Sequence, residues 1–438
     1  TQPPVPQPYL VMDFNVSATN PSSPTYLTNL NGLLYFAATD DDNDTELWRS
    51  DGTISGTYRV KDLRPLYSSD ASNLTATDNL LFLLARTAES YPKRLWVSDG
   101  TESGTMPFPD LDNVGGLTAV ADTLYFRADD GVHSTELWRS DGTESGTYMV
   151  KDINPSGSGT IFNMAQVDDI LYFSGSDGTN GLELWRSDGT VDGTFMVENI
   201  HPSGNSSPIY FAGLNGIVYF SAADDVNGRE LWRTDGTADG TFMVTDIVTG
   251  VDSGSPTELT AVNNQLFFVS DGELWVSDGT DAGTQLLDFA PSVPSFPTEL
   301  TVFNNMLYFQ ADDGVNGVEL WRSDGTLGGT TMVHDINSAG SSAPVELTAV
   351  GTLLYFQADA GNGSGAELWL TDGTTVGTVQ VSDIFPGVTG SDPANLANVN
   401  GTLFFAASDD LHGVELWQSS GSDDSTMMVA DIADGNGD

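Results

Sequence analysis

The nine tryptophans of this chain recur at nearly regular intervals. Each follows a leucine, and successive tryptophans are 42 to 48 residues apart. Such a period is typical of a repeat protein, whose units cannot bury their apolar surface alone and must pack against their neighbours. Trp96 belongs to a degenerate second repeat. The tryptophans predicted to share one buried structural position are Trp48, Trp138, Trp185, Trp232, Trp275, Trp321, Trp369 and Trp417.

The repeat unit is clearest between Glu346 and Ile384. Four short runs rich in Leu, Val, Tyr, Phe and Thr are separated there by Gly, Asn and Asp turns, which predicts a four-stranded antiparallel sheet. Runs such as Leu-Leu-Tyr-Phe are apolar on consecutive residues, so both faces of the sheet are expected to be covered. We therefore predict an all-β, β-propeller-like array of nine four-stranded antiparallel repeats. A closed ring is favoured over an open solenoid because the terminal repeats lack a polar capping face.

The tryptophan belongs to a longer phrase, Glu-Leu-Trp-x-x-Asp-Gly-Thr. Seven copies are intact, and they begin at Glu46, Glu136, Glu183, Glu230, Glu273, Glu319 and Glu367. Repeat two departs from it at Arg94, and repeat nine at Ser420 and Ser422. Over almost its whole length the chain resembles the bacterial ELWxxDGT repeat proteins, which are secreted or surface-associated. The resemblance implies an extracellular β-rich array and carries over no catalytic residue.

The charge balance excludes several classes of partner. Lys and Arg total 14 against 62 Asp and Glu, a formal charge of −48. Nucleic acid and anionic membrane surfaces both require a basic footprint, so neither is an expected partner. The chain has no cysteine and no apolar run long enough to span a membrane. Because it also starts at Thr1 without methionine, we expect an extracellular or cell-surface protein.

Acidic residues recur in two kinds of loop. The Asp of each Asp-Gly-Thr phrase is expected to serve the turn backbone, since its carboxylate can accept nearby N–H groups. The acidic loops that precede Glu-Leu-Trp are interpreted as solvated turns, with Ca²⁺ binding as the alternative. Asp40, Asp42 and Asp44 form the best candidate metal site, although no loop has the full alternating spacing of a calcium loop. No cofactor is required by this interpretation.

The sequence offers no catalytic constellation. The four histidines occupy different positions in their repeats, and the chain has no Gly-x-Ser-x-Gly, His-Glu-x-x-His or phosphate-loop motif. We therefore predict no catalytic residue, no cofactor-binding residue and no enzymatic activity. Candidate N-glycosylation sites are Asn15, Asn43, Asn73, Asn205 and Asn362.

The two ends of the chain together supply one more fourth strand than nine repeats need. Residues 1–14 are predicted to be a Pro-rich arm plus a surplus strand, ahead of a nine-repeat domain at 15–438. The surplus strand copies the fourth-strand phrase and comprises Tyr9, Leu10, Val11, Met12, Asp13 and Phe14. The ninth repeat already has such a strand at Met427 to Ile432. An unpartnered apolar strand suits association between copies, so either terminal strand is a candidate for exchange.

These features predict an extracellular structural scaffold that self-assembles into a homopolymer, such as a filament, sheath or surface layer, through a donated terminal strand. Its partners would be copies of itself. The alternatives are a multivalent carbohydrate-binding propeller, whose partner would be polysaccharide, and a glycan hydrolase with an axial site. Equivalent pockets between blades would favour the lectin, and convergent carboxylates at one funnel mouth would favour the hydrolase.

Overall fold

The protein is nearly all β. The computed structural model describes residues 21–87, 90–108 and 110–432, with residues 90 and 91 described by their backbone alone. Within these residues, 36 strands form nine four-stranded sheets, and helix is limited to the 3-10 turns Ile54–Gly56, Leu327–Gly329 and Asp423–Ser425. No helix in these ranges is long and apolar enough to cross a membrane. The predicted surplus strand at Tyr9 to Phe14 lies outside the described residues.

Each sheet is one repeat, with its strands in chain order. Blades 1 to 3 contain β1 Thr25–Leu30, β2 Leu33–Thr39, β3 Thr45–Ser50, β4 Tyr58–Lys61, β5 Ser72–Ala76, β6 Leu81–Thr87, β7 Ser90–Ser98, β8 Met106–Pro107, β9 Asp112–Val120, β10 Thr123–Asp129, β11 Thr135–Ser140 and β12 Tyr148–Lys151. Blades 4 to 6 contain β13 Phe162–Val167, β14 Ile170–Gly175, β15 Glu183–Ser187, β16 Phe195–Glu198, β17 Ile209–Leu214, β18 Ile217–Asp224, β19 Gly228–Thr234, β20 Phe242–Thr245, β21 Thr257–Val262, β22 Gln265–Ser270, β23 Glu273–Ser277 and β24 Gln285–Leu286. Blades 7 to 9 contain β25 Thr298–Phe303, β26 Met306–Asp312, β27 Val318–Ser323, β28 Thr331–His334, β29 Val345–Val350, β30 Leu353–Asp359, β31 Ala366–Thr371, β32 Val379–Gln380, β33 Ala394–Val399, β34 Thr402–Asp409, β35 Gly413–Ser419 and β36 Met427–Ala430.

The nine blades close into a ring, which confirms the predicted propeller. The first strand of every blade contacts the first strand of the next, and β33 of blade 9 contacts β1 of blade 1. We call these first strands the inner strands, because they line the axis. The ninth blade uses its own fourth strand, since β36 pairs with β35. The described residues therefore complete the ring without a strand from the chain's beginning.

The hydrophobic core consists of nine clusters, one at each interface between neighbouring blades. A cross-strand Phe–Trp pair recurs in eight blades, as in Phe36 opposite Trp48, and Leu83 replaces the Phe opposite Trp96. Phe36 is completely buried, and it packs with Trp48 and with Phe404 of blade 9. Because apolar side chains cover both faces of each sheet, no blade could bury its surface alone.

Short turns connect the strands within a blade. Asn31 and Gly32 both have positive φ, 52° and 80°, as the tight turn of a β-hairpin requires. In the Asp-Gly-Thr turn, the Asp51 carboxylate accepts the backbone N–H and the hydroxyl of Thr53, at 3.0 and 2.7 Å. These two donors hold the pKa of Asp51 below its usual value. The contacts confirm the predicted backbone role of this residue.

In the eight blades that retain it, the glutamate of the Glu-Leu-Trp phrase lies against the connection that leads to the next blade; blade 2 has Arg94 instead. In blade 7, buried Glu319 accepts the N–H groups of Ile336, Asn337 and Ser342, and the Ser342 hydroxyl. Ring closure repeats this arrangement across the ends of the described chain. Glu415 of blade 9 accepts the N–H of Ser22 at 2.9 Å and its hydroxyl at 2.5 Å. We call this arrangement the glutamate clasp.

Candidate binding site at the axial mouth

The antiparallel meander separates the connections onto two faces of the ring. Turns between first and second strands, and between third and fourth strands, lie at one face, the turn face. Loops between second and third strands lie at the opposite face, together with the connections from each fourth strand to the next blade. We call this opposite face the loop face. The predicted acidic loops all belong to the loop face.

The loop face is one continuous surface, because hydrogen bonds link its segments. The N–H of Leu182, just before the third strand of blade 4, donates to Asn205 Oδ1 of the following connection at 2.8 Å. The N–H of Val318 in blade 7 donates likewise to the Ser341 hydroxyl at 2.9 Å. Such contacts hold each loop against the neighbouring connection and limit its freedom.

Five acidic loops adopt the same turn. In blade 3, Asp130 Oδ1 accepts the N–H groups of Val132 and His133, both at 2.9 Å, and its Oδ2 contacts His133 Nδ1 at 2.8 Å. These donors, offsetting the cost of burial, lower the pKa of Asp130 to about 2. The other four turns pair Asp177 with Asn180, Asp224 with Asn227, Asp313 with Asn316, and Asp409 with His412. These carboxylates therefore serve the loop backbone and a neighbouring side chain. His133 and His412 thus occupy the same position of the repeat, so the prediction that all four histidines differ in position is wrong for these two.

The predicted metal residues form a turn of a related kind. Asp40 Oδ1 accepts the N–H groups of Asp42 and Asp44, and its Oδ2 pairs with Arg59 at 3.0 Å. Burial and the adjacent carboxylates raise the pKa of Asp44. Within the described part of the chain, no group of three or more His, Asp or Glu side chains is arranged to hold a metal ion. Calcium at Asp40, Asp42 and Asp44 stays a prediction to which this geometry adds no support.

The other predicted site residues are spread around the molecule. Among the tryptophans, Trp48, Trp185, Trp321 and Trp369 are buried, whereas Trp138, Trp232, Trp275 and Trp417 are half-buried. Asn43, Asn205 and Asn362 lie in loops of the loop face, and Asn73 lies in inner strand β5. Asn15 lies outside the described residues. Glycosylation at any of these positions stays a prediction.

Each inner strand enters the ring at the loop face through two left-handed residues, three positions apart. The first members are Ser23, Asp70, Asn113, Thr160, Ser207, Ser255, Phe296, Ala343 and Asp392. The second members are Tyr26, Asn73, Gly116, Asn163, Tyr210, Glu258, Glu299, Glu346 and Asn395. Their φ angles lie between 44° and 65°, and only Gly116 is a glycine. The left-handed conformation costs each residue other than glycine about 1 kcal/mol or more.

The second left-handed residue lies in a β-bulge. In blade 1 the register with the second strand shifts between Thr25 and Thr28, so one extra residue is accommodated around Tyr26. The inner strand shows a register shift in all nine blades. Bulges redirect side chains and are frequent at rims and binding sites. Here they form a ring at the mouth of the axial channel, which sequence periodicity did not reveal.

Across blades 6 to 8 the second left-handed residues are glutamates that join neighbouring blades. Glu258 accepts the N–H of Leu300 at 3.2 Å, and Glu299 accepts the N–H of Glu346 at 3.0 Å. Glu346 in turn accepts the N–H of Leu396 at 3.2 Å. Burial raises the pKa of Glu258, and the nearby Glu299 carboxylate raises it further. We call these three glutamates the acidic arc.

The side chains that blade 3 places at the axial mouth differ from those of the acidic arc in both size and charge. Its inner strand carries Gly115 and Gly116, and its second strand carries Arg127 opposite Gly115. A cavity of about 400 Å³ opens beside this arginine, between blades 3 and 4. Phe162, at the start of the next inner strand, forms part of the cavity wall. The mouth therefore has carboxylates on one side and a guanidinium on the other.

One serine and one histidine lie near a shared aspartate on the loop face. The Ser203 hydroxyl donates to Asp225, and His201 Nδ1 lies 3.0 Å from the same carboxylate. A nucleophile and its base must contact each other, whereas these two side chains both contact the carboxylate. This cluster is therefore not arranged as a nucleophile–base pair.

No protein-family model matches the chain, and no curated protein matches it. Membership of the ELWxxDGT repeat family therefore stays a prediction. Solved structures do match. A crystal structure of puromycin hydrolase is 14% identical with a TM-score of 0.42, covering 72% of this chain and 53% of that one. One of two prolyl endopeptidases is 12% identical with a TM-score of 0.42, covering 82% and 49%.

A third match is a puromycin-hydrolyzing peptidase from Mycobacterium tuberculosis, at 13% identity and a TM-score of 0.42. It covers 88% of this chain and 58% of that one, so the chain spans about half the length of the structures it matches. At such identities the likeness concerns the fold alone.

These comparisons correct two predictions. The similar solved structures are peptidases, so the predictions of a self-assembling structural scaffold and of a non-enzymatic chain are wrong. The sequence was misleading because its repeat phrase determines how the blades pack and carries no information about activity. One fold can serve unrelated functions, so the fold did not indicate the activity either. The strand that suggested polymerisation lies outside the described residues, and each of the nine blades has four strands of its own.

Proposed function

We propose that this propeller is a recognition domain whose loop face binds basic, partly apolar polypeptides. The observation that carries the proposal is that large apolar side chains are exposed on that face directly beside its acidic turns. They include Tyr26, Leu66, Tyr67, Val132, Phe162, Tyr210, Val226, Val251, Val293, Phe296, Val315, Val388 and Leu411. Val315, at the tip of an acidic turn, is 84% exposed. Extensive exposed apolar surface is typical of an interaction site.

The charge of the protein selects the ligand class. With a formal charge of −48, the chain repels nucleic acids and other polyanions and attracts basic ligands. A polypeptide with Lys or Arg beside apolar residues offers both complementary features.

Several expectations from the sequence accompany this proposal without further support. They are an extracellular or cell-surface location, glycosylation, calcium binding, and polysaccharide or copies of the chain as partners. None of them is needed for binding at the loop face.

The test uses two matched sets of aliphatic residues at loop tips. On the loop face, Val132, Val226, Val315 and Leu411 are changed together to Ser; on the turn face, Ile54, Val191, Leu327 and Val376 are changed together to Ser. All eight side chains are exposed, so both variants are expected to fold. Binding of an amidated peptide of alternating Lys and Leu is measured by calorimetry. The loop-face variant should bind roughly ten-fold more weakly, and the turn-face variant like the parent.

Two further peptides separate the contributions of charge and apolar contact. A Lys and Ser peptide should bind weakly, and a Glu and Leu peptide should not bind. Equal loss of affinity in both variants, or equal binding of the Lys-Leu and Lys-Ser peptides, would mean that charge alone attracts the ligand and would overturn the proposal.

A further inference from the structure

Arg127 interrupts the repeat. The equivalent second-strand positions in the other blades hold Ala37, Leu84, Ser174, Ser221, Val269, Gln310, Gln357 and Ala406. The other eight repeats thus have no cationic residue at this strand position. In blade 5 the guanidinium of Arg229 reaches the equivalent residue Ser221 from the third strand, but there its donors bond to the carbonyl oxygens of Ser206, Ser207 and Ser221. An arginine that appears once, at the axial mouth of a protein with 62 acidic residues, calls for an explanation specific to blade 3.

Two consecutive glycines lie in the inner strand beside this arginine, and Gly115 is the one that makes room for it. A Cβ atom on Gly115 would lie 3.3 Å from Arg127 Nε, and one on Gly116 would lie 2.5 Å from Cε of Met164. Gly116 is also the one second left-handed residue without a side chain. In the other blades a Tyr, Asn or Glu side chain projects from the position of Gly116; here the inner strand projects none, and the end of Met164 lies beside it.

Among the described residues, Arg127 has no acidic partner. Within the described residues its single hydrogen bond runs from Nη1 to the Ile161 carbonyl oxygen, at 3.1 Å. Its guanidinium lies over the Phe162 ring, 4.9 Å from the centroid. No carboxylate in the described ranges lies within salt-bridge distance of it, whereas Arg59 and Arg86 each pair with an aspartate. Donors at Nε and Nη2 are left for a ligand in the adjoining cavity.

The cavity wall combines polar and apolar groups. Asn113 offers an exposed amide, and Thr160 a hydroxyl, while Val114 and Phe162 supply apolar surface. A guanidinium edge binds a carboxylate through two parallel N–H···O bonds. The apolar wall suits a side chain attached close to that carboxylate.

We propose that this cavity binds the C-terminal carboxylate of a peptide whose last side chain is apolar. Arg127 holds the carboxylate, and Phe162 and Val114 contact the last side chain. The inference rests on the proposed polypeptide-binding function and adds a position for the peptide end. An acidic polysaccharide also carries carboxylates, but its repeated charges would be repelled by a protein of charge −48.

The test compares two short peptides on matched variants. The peptide Lys-Ala-Ala-Phe with a free C-terminus and its C-terminal amide are titrated into the protein by calorimetry. The parent should bind the free acid about ten-fold more tightly than the amide. Arg127→Gln reproduces the residue found in blades 7 and 8 and should remove this preference. Arg139→Gln, which loses the same charge from an arginine stacked on Tyr148 outside the cavity, should keep it.

The outcomes distinguish this inference from the proposed function. If the loop-face variant binds the Lys-Leu peptide as tightly as the parent does, while the parent still prefers the free acid, the proposed function is overturned and the cavity assignment stands. Equal binding of acid and amide, or loss of the preference in Arg139→Gln as well, would overturn the cavity assignment. Tighter binding of an oligogalacturonate than of the peptide, abolished by Arg127→Gln, would overturn the peptide as ligand. Thermal unfolding checks that Arg127→Gln is folded.

Discussion

The interface between blades 3 and 4 and the interface between blades 7 and 8 share one backbone design but differ in chemistry. At the first, Gly116 leaves the inner bulge without a side chain, and Arg127 faces a cavity. At the second, Glu299 fills the bulge and accepts the N–H of Glu346. There Gln310 takes the place of Arg127 and donates to Thr298 within its own sheet. Equivalent positions are thus open in one region and closed in the other.

The glutamate clasps of these two interfaces also differ: the clasp between blades 7 and 8 makes more hydrogen bonds than the clasp between blades 3 and 4. Glu319, between blades 7 and 8, accepts four hydrogen bonds. Glu136, between blades 3 and 4, accepts the Ile153 N–H at 2.8 Å. Burial raises its pKa, and the N–H groups of Asn154 and Gly159 partly offset this rise, but its Oε1 makes no well-formed hydrogen bond among the described residues. Gly159 stands where Ser342 closes the other clasp. In a repeat protein, such departures locate the region that serves something besides packing.

The largest expected effect comes from removing each clasp carboxylate. Glu319→Ala leaves the N–H groups of Ile336 and Asn337 and the Ser342 hydroxyl without their acceptor, while the Ser342 N–H keeps the Val318 carbonyl oxygen, so we expect a loss of about 3 kcal/mol in unfolding free energy. Glu136→Ala should cost about 1 kcal/mol, because fewer donors lose a partner. Urea unfolding followed by tryptophan fluorescence measures both. Equal losses of unfolding free energy would show that the two clasps are equivalent, and the two interfaces would then differ only in their bulges.

A second prediction concerns pH. Burial raises the pKa of Glu136 to about 7, and the pKa of Glu319 is also raised. A carboxyl whose pKa is higher in the folded state than in the unfolded state stabilises the fold below the unfolded pKa of about 4.5. That stability is lost as pH rises through the folded pKa. The protein should therefore unfold at lower temperature at pH 8 than at pH 5.

Glutamine substitutions separate the two clasps in that pH range. Glu136→Gln removes a titrating group whose Oε1 makes no well-formed hydrogen bond among the described residues, so at pH 8 it should leave the melting temperature unchanged or raise it. Glu319→Gln turns an amide NH₂ toward groups that are themselves donors, so it should lower the melting temperature at pH 5 and pH 8 alike. The result that contradicts the comparison is a destabilised Glu136→Gln at pH 8 together with a tolerated Glu319→Gln.

A third prediction concerns a variant that adds a side chain to the inner-strand bulge of blade 3. Gly116→Asn introduces the residue that blade 4 carries as Asn163 at the equivalent position, and Asn tolerates the left-handed conformation. The flexible end of Met164 must move, so we expect a cost of about 1 kcal/mol or less. The new side chain should nevertheless reduce the preference for a free peptide carboxylate. Thermal unfolding and peptide titration on one preparation measure both effects; an unchanged preference would show that the bulge does not control access.

Much of the fold was predictable because repetition averages over local ambiguity. The Phe–Trp pair, exemplified by Phe36 and Trp48, recurs in eight blades and indicates sheets covered on both faces. The axial site was not predictable in the same way. Its bulges place residues such as Tyr26 and Glu299 in left-handed conformations that no residue type signals, and Arg127 gains its meaning only from the eight positions where it is absent. Aligning the repeats by position would have found that arginine.

The smallest expected effect comes from exchanging the loop residues that the two regions use interchangeably. In blade 3, His133 contacts Asp130 through its ring, and in blade 7 Asn316 donates its amide to Asp313 at 2.7 Å. Both side chains lie three residues after the aspartate, and in both turns the aspartate also accepts two backbone N–H groups. His133→Asn and Asn316→His should therefore each leave the unfolding free energy at pH 7 nearly unchanged. The pKa of His133 is raised by its hydrogen bond to Asp130, so Asn316→His should add stability as pH falls below the raised pKa, whereas His133→Asn should remove it. Chemical unfolding at pH 5 and pH 8 measures this opposite pair of trends. If one exchange instead destabilises the protein at pH 8 and the other does not, the loops are not interchangeable, and the difference between blades 3 and 7 extends beyond the axial mouth to their outer loops.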